Sequence, residues 1–383
     1  MIKGVTIGCL LVLAMLPGCK TGKQLAVQPV LPAGPVTTVV FEPSGDYAAM
    51  RIPALVLTQK GTLLAFCEGR IGSASDTTDM DMLMRRSTDG GKTWEPARVI
   101  ASRQTGATSN PTPIVDKDGT IHLLYQRQYT HAYYTRSTDD GKTWSAAVDI
   151  TYAFEAFRPE YAWQVLAPGP GHAIQLTSGR LLAPVWLRTP KEIIPQRTYR
   201  VAVIYSDDGG RTWKRGAILP DVPEVRNPNE SMAVQLEDGR VMMSIRNNAP
   251  ARRRGVSYSA DGISNWTVPV AEDELFEPVC MASIIRASYQ KNGDKNRLLF
   301  INPDSRDLPK YPRKNLTARI SYDEGQSWPI RKVIDTASAG YSDIAVDSKG
   351  TVYCLYEANT IGKGWNYSIV MKRFDLAWLE SIN

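Results

Sequence analysis

The chain has 383 residues and a formal net charge of +6 at pH 7, from 45 Lys and Arg against 39 Asp and Glu, and 43% of its residues are hydrophobic. That length accommodates one large or two ordinary domains with a sizeable core. The charge is modest and scattered except at Arg252-Arg253-Arg254, which gives no support to a nucleic-acid partner and leaves an anionic substrate open. With only His122, His131 and His172 present, neither a histidine-rich metal site nor a Ser-His-Asp triad has a signature, so no metal and no other cofactor is expected.

Lys3 precedes an apolar run over residues 5–16 that is too short to span a bilayer, followed by Leu16-Pro17-Gly18-Cys19. This resembles a bacterial lipobox, which implies a lipoprotein signal peptide over 1–18, acylation of Cys19 and a lipid anchor in the cell envelope, periplasmic or surface-exposed. An ordinary signal peptide with an incidental cysteine is the alternative and would give a secreted protein. Residues 19–36 are polar, aperiodic and contain Pro and Gly, as a flexible tether would. With Cys9 removed and Cys19 lipidated, Cys67, Cys280 and Cys354 remain, an odd number without metal-like spacing, and are expected as buried thiols.

From residue 37 onward, short apolar runs at 54–57, 62–66, 121–125, 180–185, 201–205 and 241–245 alternate with Asp, Gly and Asn turns, the rhythm of an all-β protein. A repeat is legible within it. Ser87-Thr88-Asp89-Gly90-Gly91-Lys92-Thr93-Trp94 returns at 137–144, 206–213 and 321–328, with a degenerate fifth copy at 259–266 that lacks the Gly-x-Thr core. Asp can accept backbone N–H groups, Gly supplies positive φ and Trp packs the turn against a neighbouring strand, so the repeat reads as a structural hairpin turn. Copies 50 to 69 residues apart suit four-stranded propeller blades with loops, and residues 37–383 give about six of them. The motif is similar to the Asp-box of sialidases, which implies a six-bladed β-propeller and says little about chemistry.

The resemblance becomes specific at Arg51-Ile52-Pro53, which looks like the Phe/Tyr-Arg-Ile-Pro motif of bacterial sialidases with Met50 in place of the aromatic. Cys67-Glu68-Gly69-Arg70 and Asp76 resemble the segment that supplies an arginine to the C4 side of the sugar and the acid/base aspartate, with Asp79 and Asp81 as rivals for that role. Asn229-Glu230-Ser231 resembles the segment of the catalytic glutamate, and Arg246, sixteen residues on, would be the second clamp arginine. Arg313, eight residues before the last Asp-box, would be the third, and Tyr341 in Gly340-Tyr341-Ser342 resembles the nucleophile. Glu357 falls where the family places a carboxylate that orients the first arginine, and the closing segment 374–379 also resembles a sialidase strand.

These residue types make sense together. Sialic acid carries a carboxylate on its anomeric carbon, and the fork of a guanidinium suits it better than an ammonium, which gives Arg51, Arg246 and Arg313 a task. A carboxylate nucleophile would be repelled by that group, whereas a phenol is neutral, so Tyr341 would attack with Glu230 taking its proton. Asp76 would protonate the leaving oxygen, for which burial should raise its pKa. Trp163 would line an N-acetyl pocket or pack in the core. The resemblance thus implies a retaining exo-α-sialidase that acts on sialylated glycoconjugates as a monomer. The alternatives are an enzyme of a related 2-keto-3-deoxy sugar acid, a transferase, and a non-catalytic sialoside-binding propeller, which would have no use for the Tyr341–Glu230 pair.

Overall fold

The computed structural model describes residues 34–189, 198–290, 293–359 and 367–381, together with Met1. The expected signal peptide, the anchor Cys19 and most of the tether therefore lie outside the described residues. The chain divides into two units, Met1–Leu31 and Pro32–Asn383, and every strand among the described residues belongs to the second.

The amino-terminal strand β1 (Val36–Phe41) is followed by blade 1, built from β2 (Tyr47–Leu57), β3 (Leu63–Ile71), β4 (Met80–Ser87) and β5 (Arg98–Ala101). Blade 2 comprises β6 (Thr108–Val115), β7 (Ile121–Arg127), β8 (His131–Ser137) and β9 (Val148–Asp149). In blade 3 the inner strand is split into β10 (Val165–Pro168) and β11 (Ile174–Gln175), outside which lie β12 (Leu181–Arg188), β13 (Tyr199–Ser206) and β14 (Lys214–Ile218). Blade 4 is β15 (Ser231–Gln235), β16 (Val241–Ile245), β17 (Arg253–Ser259) and β18 (Val270–Phe276). Blade 5 runs through β19 (Ser283–Ser288), β20 (Arg297–Pro303), β21 (Lys314–Ser321) and the first part of β22 (Ile330–Val346). The second part of β22 then opens blade 6, followed by β23 (Thr351–Ala358) and β24 (Ser368–Asp375).

The outer strand of blade 6 is β1, paired antiparallel to β24 from Val36 opposite Arg373 to Phe41 opposite Ile369. The two ends of the domain thus close the ring in one sheet, leaving no blade edge between them open to another chain. The outcome is the six-bladed propeller expected from the repeat spacing.

The Asp-boxes sit between the third and fourth strands. In blade 1, Ser87 Oγ donates to Asp89 Oδ1 at 2.8 Å and accepts from Gly91 N, while Asp89 accepts from Lys92 N, Thr93 N and Thr93 Oγ1. The same serine, glycine and threonine or serine contacts recur around Asp139, Asp208 and Asp323. The degenerate copy keeps it in a shorter turn: Gly262 N donates to Ser259 Oγ and Ser264 replaces the threonine on Asp261. Each box tryptophan packs into the layer shared with the preceding blade, Trp94 against blade 6 and Trp144, Trp213, Trp266 and Trp328 against blades 1 to 4. The core is accordingly a set of interblade layers. Cys67, Cys280 and Cys354 are buried thiols within these layers or next to them, as expected, and Trp163 packs in the layer between blades 2 and 3 with its indole N–H on Phe154 O, so the core reading of that residue holds.

Because strands alternate in direction, the Asp-box turns lie at the end of the ring opposite the loops between second and third strands. A consequence can be measured: Trp213→Ala, which empties a site 1% exposed, is expected to cost about 3–5 kcal/mol of stability while leaving turnover by the folded protein unchanged. Chemical denaturation and steady-state kinetics of the same preparation check both halves.

Candidate active site

The inner strands enter the ring with an irregularity in common. Ile52, Asn110, Gly169 and Asn227 all have φ between 46° and 59°, and each is followed by proline. Register shifts accompany this between Arg51 and Ala54 in β2 and between Ser109 and Thr112 in β6, with another between Ala339 and Ser342 in β22. A bulge re-aims side chains that a regular strand would direct into the interblade layers, and the residues at these positions converge on the axis. For β-branched Ile52 the left-handed conformation is costly, and it is held by its N–H, which donates to Glu357 Oε1 at 3.0 Å.

Glu357, on β23 and fully buried, organises the centre. Arg51 Nε donates to its Oε1 at 2.8 Å, and Tyr341 N donates to its Oε2 at 3.2 Å. Burial alone would push this carboxyl up, but Arg51, Ile52 N–H and Arg313 outweigh it and hold Glu357 below its usual value. It is therefore a charged, buried clamp for the first arginine and the Tyr341 strand.

Tyr341 lies at the focus, 6% exposed. Its Oη is 2.8 and 2.6 Å from the two oxygens of Glu230, which stands at the entry to blade 4. The guanidinium carbons of Arg51, Arg246 and Arg313 lie 5.7, 5.5 and 5.4 Å from the centre of the Tyr341 ring, three cations around one phenol. Arg246 also donates to Glu230 and to Tyr341 Oη, and Arg313 is aimed by Val279 O, 2.6 Å from its Nη2. Burial, reinforced by Glu230 and only partly opposed by Arg246 and Arg313, holds the Tyr341 phenol well above its usual value. The phenol is therefore neutral, with Glu230 in contact with its oxygen.

Asp76 departs from expectation. Its side chain is 71% exposed on the loop between β3 and β4, and Arg70 Nη1 meets its Oδ1 at 2.6 Å, with Arg51 Nη1 at 3.9 Å. Partial desolvation pushes its carboxyl up, but the two arginines prevail and hold it below the usual value, the reverse of the expected shift. Asp76 sits over the arginine cluster as an internal counter-ion. Of its rivals, Asp81 is buried and engaged by Tyr47 Oη, Arg103 N and Arg103 Nη1, whereas Asp79 is exposed on the same loop as Asp76.

Arg70, expected to touch substrate, is 1% exposed and fully engaged. It donates to Glu68 Oε2 through Nε and Nη2 at 3.0 and 2.7 Å, to Ala74 O and to Asp76. Glu68 in turn accepts Asn110 N at 3.0 Å. A substrate oxygen could reach Arg70 only by displacing Asp76.

Sequence reasoning passed over Glu68 and Asn110. Ser109-Asn110-Pro111 repeats the design of Arg51-Ile52-Pro53 on the next blade, and that echo was the available signal. It also passed over Glu277, whose fully buried pair with Arg254 at 2.7 Å holds the 277–280 turn through Cys280 N and Cys280 O. A cavity of about 700 Å³ at the far end of the axis, lined among others by Leu55, His172, Ile284 and Val346, contains none of the predicted site residues.

With this geometry established, similarity to known proteins is informative. Residues 61–354 match the family described as BNR repeat-like domain, a class of propeller proteins. The chain is 33% identical to a sialidase of Micromonospora viridifaciens over 96% of its own length and 58% of that protein's. It is 30% identical to sialidase-3 of Bos taurus, over 81% of this chain and 86% of the bovine one. The Hadza microbial sialidase Hz136 superposes with a TM-score of 0.73 at 28% identity, covering 89% of this chain and 68% of the other. The chain belongs to the sialidase family. It spans a little under three fifths of the Micromonospora relative, at 58%.

The two carboxylates around Arg70 should separate on mutation. Glu68→Ala strands a buried guanidinium and is expected to cost about 3–5 kcal/mol, whereas Asp76→Asn removes an exposed partner and should cost under about 1 kcal/mol. Urea unfolding of both variants measures the contrast, and equal costs would contradict this assignment of burial.

Proposed function

We propose that the chain is an exo-α-sialidase that hydrolyses terminal α-linked sialic acid from glycoproteins, glycolipids and oligosaccharides with net retention. The observation that carries this reading is the contact of Tyr341 Oη with both Glu230 oxygens, at 2.8 and 2.6 Å, beside three guanidiniums. A binding propeller would need the arginines but not a phenol paired to a base.

In the proposed mechanism the substrate carboxylate lies across Arg51, Arg246 and Arg313, displacing Asp76 from its place over Arg51. Tyr341 Oη attacks the anomeric carbon as its proton passes to Glu230, while Asp76 donates a proton to the departing glycosidic oxygen. Water then attacks the same carbon, giving its proton to Asp76, and the bond to Tyr341 breaks as the phenolic oxygen recovers its proton from Glu230. Two displacements at one carbon retain its configuration. The arginines, held by Glu357, Glu230 and Val279 O before substrate arrives, are preorganised for the charge that changes during reaction.

The direct test uses soluble protein lacking residues 1–19 and a fluorogenic sialoside. Tyr341→Phe and Glu230→Gln are each expected to lower kcat by about 10²- to 10⁴-fold, and wild-type turnover in both folded variants would overturn the mechanism.

Asp76 supplies a pH signature. It must be protonated to act as the acid, and its arginine neighbours hold its pKa below the usual carboxylate value. Activity should fall as pH rises through the Asp76 pKa. Bound substrate brings a carboxylate to the arginines that depress it, which raises the Asp76 pKa. The falling limb is thus expected at higher pH in the profile of kcat than in that of kcat/KM, and coincident limbs would contradict it.

A further inference from the structure

The inner strand of blade 3 is interrupted. Pro168 pairs with Val185 and Ile174 with Leu182, so the five residues 169–173 stand opposite only two on β12. The surplus leaves the blade and reaches across the axis. A Cβ on Gly169 would come within 2.4 Å of Thr112 of blade 2, and one on Gly171 within 2.4 Å of Met281, at the entry to blade 5, and 3.2 Å of Met232 of blade 4. The glycines are required both for this close approach and for their positive φ.

The segment ends at His172, which grips the blade opposite its own. His172 N lies 2.9 Å from Asp343 Oδ2 and Nδ1 lies 2.6 Å from Oδ1. Leu55 N, on the inner strand of blade 1, donates to Asp343 Oδ2 at 2.8 Å, and Ile344 N donates to Oδ1 at 2.9 Å. Asp343 is fully buried and His172 is 7% exposed. One carboxylate thus ties blades 1, 3 and 6 together at the axis, two residues along β22 from Tyr341 and four along β2 from Arg51.

We infer that residues 169–172 form an axial strap and that His172 is a positioning residue for the Tyr341–Glu230 pair, an inference that rests on the function proposed above. The pair spans the ring, Tyr341 on blade 6 and Glu230 at the entry to blade 4, and proton transfer depends on keeping that span constant. The strap fixes it by packing against Met232, two residues from Glu230, at one point and by holding Asp343 at another. A displacement of 1 Å at a reacting pair can cost about 10²-fold in rate.

The ring of His172 does this with one nitrogen. Nδ1 carries the hydrogen, because the Asp343 oxygens stand as acceptors to the N–H groups of Leu55, His172 and Ile344, whereas Nε2 has no hydrogen-bond partner among the described residues. Asparagine places an amide N–H where Nδ1 lies, and glutamine reaches instead to the position of Nε2. The two substitutions therefore separate the contact from the bulk of the side chain.

The experiment measures kcat and KM of the wild type, His172→Asn and His172→Gln on a fluorogenic sialoside, normalised to folded protein by near-ultraviolet circular dichroism below the unfolding midpoint. His172→Gln is expected to lose about 10- to 100-fold in kcat with KM within about threefold, and His172→Asn to stay within about threefold of wild type in both. Wild-type kcat in folded His172→Gln, or equal losses in the two variants, would overturn the strap alone. Failure of His172→Gln and His172→Ala to fold at all would also overturn it, in favour of a role in folding only. Absence of turnover by the wild type would overturn the proposed function and the strap with it.

Discussion

The Glu357 carboxylate is the interaction on which the centre of this propeller depends. A buried carboxylate is tolerable only when its lone pairs are occupied and its charge is opposed, and Arg51, Ile52 N–H and Tyr341 N–H together meet that need. In return it joins the first inner strand to the last, so closure of the ring and placement of Tyr341 share one carboxylate. The left-handed backbone of Ile52, awkward for a β-branched residue, becomes tolerable because its N–H has this partner.

Charge explains much of the remaining design. Arg51, Arg246 and Arg313 crowd one phenol, and the carboxylates of Glu357, Glu230 and Asp76 stand against the arginines. Two are anchored in the protein, whereas Asp76 is exposed on a loop and held by Arg70. The arrangement leaves one counter-ion that an incoming anion can replace, and it is the residue assigned to proton transfer. In the proposed mechanism binding and acid catalysis are linked through the same arginines. Those arginines hold the Asp76 carboxyl down, although burial had been expected to raise it.

Much of the fold was legible because the Asp-box is a local device: a serine, an aspartate and a glycine satisfy one another within eight residues, and their spacing reports blade length directly. Even the degenerate copy at Ser259 keeps its hydrogen bonds through Ser264. Arg51, Arg70, Glu230, Arg246, Tyr341 and Glu357 came together because they stand near the entry or exit of an inner or second strand, where the motifs were distinctive, while Arg313 stands just before the third strand of blade 5 and Asp76 on the loop after the second strand of blade 1. What sequence could not provide was partnership over distance. Nothing local to Glu68 says that it takes Asn110 N from the next blade, and nothing near Gly169-Pro170-Gly171-His172 says that its imidazole crosses to Asp343. Arg70 was assigned by its type and place in a motif, and only three dimensions show its donors already committed to Glu68, Ala74 and Asp76.

The role of Tyr341 can be tested most directly by trapping. Wild-type protein incubated with a 2,3-difluoro sialic acid, whose fluorine at C3 slows both displacements, would be denatured and digested, and the peptides would be mapped by mass spectrometry. A sugar mass on the peptide carrying Tyr341, localised to the phenolic oxygen and absent from Tyr341→Phe, is the predicted result. The same mass on Glu230 or Asp76, or steady turnover with inversion at the anomeric carbon, would contradict a tyrosine nucleophile.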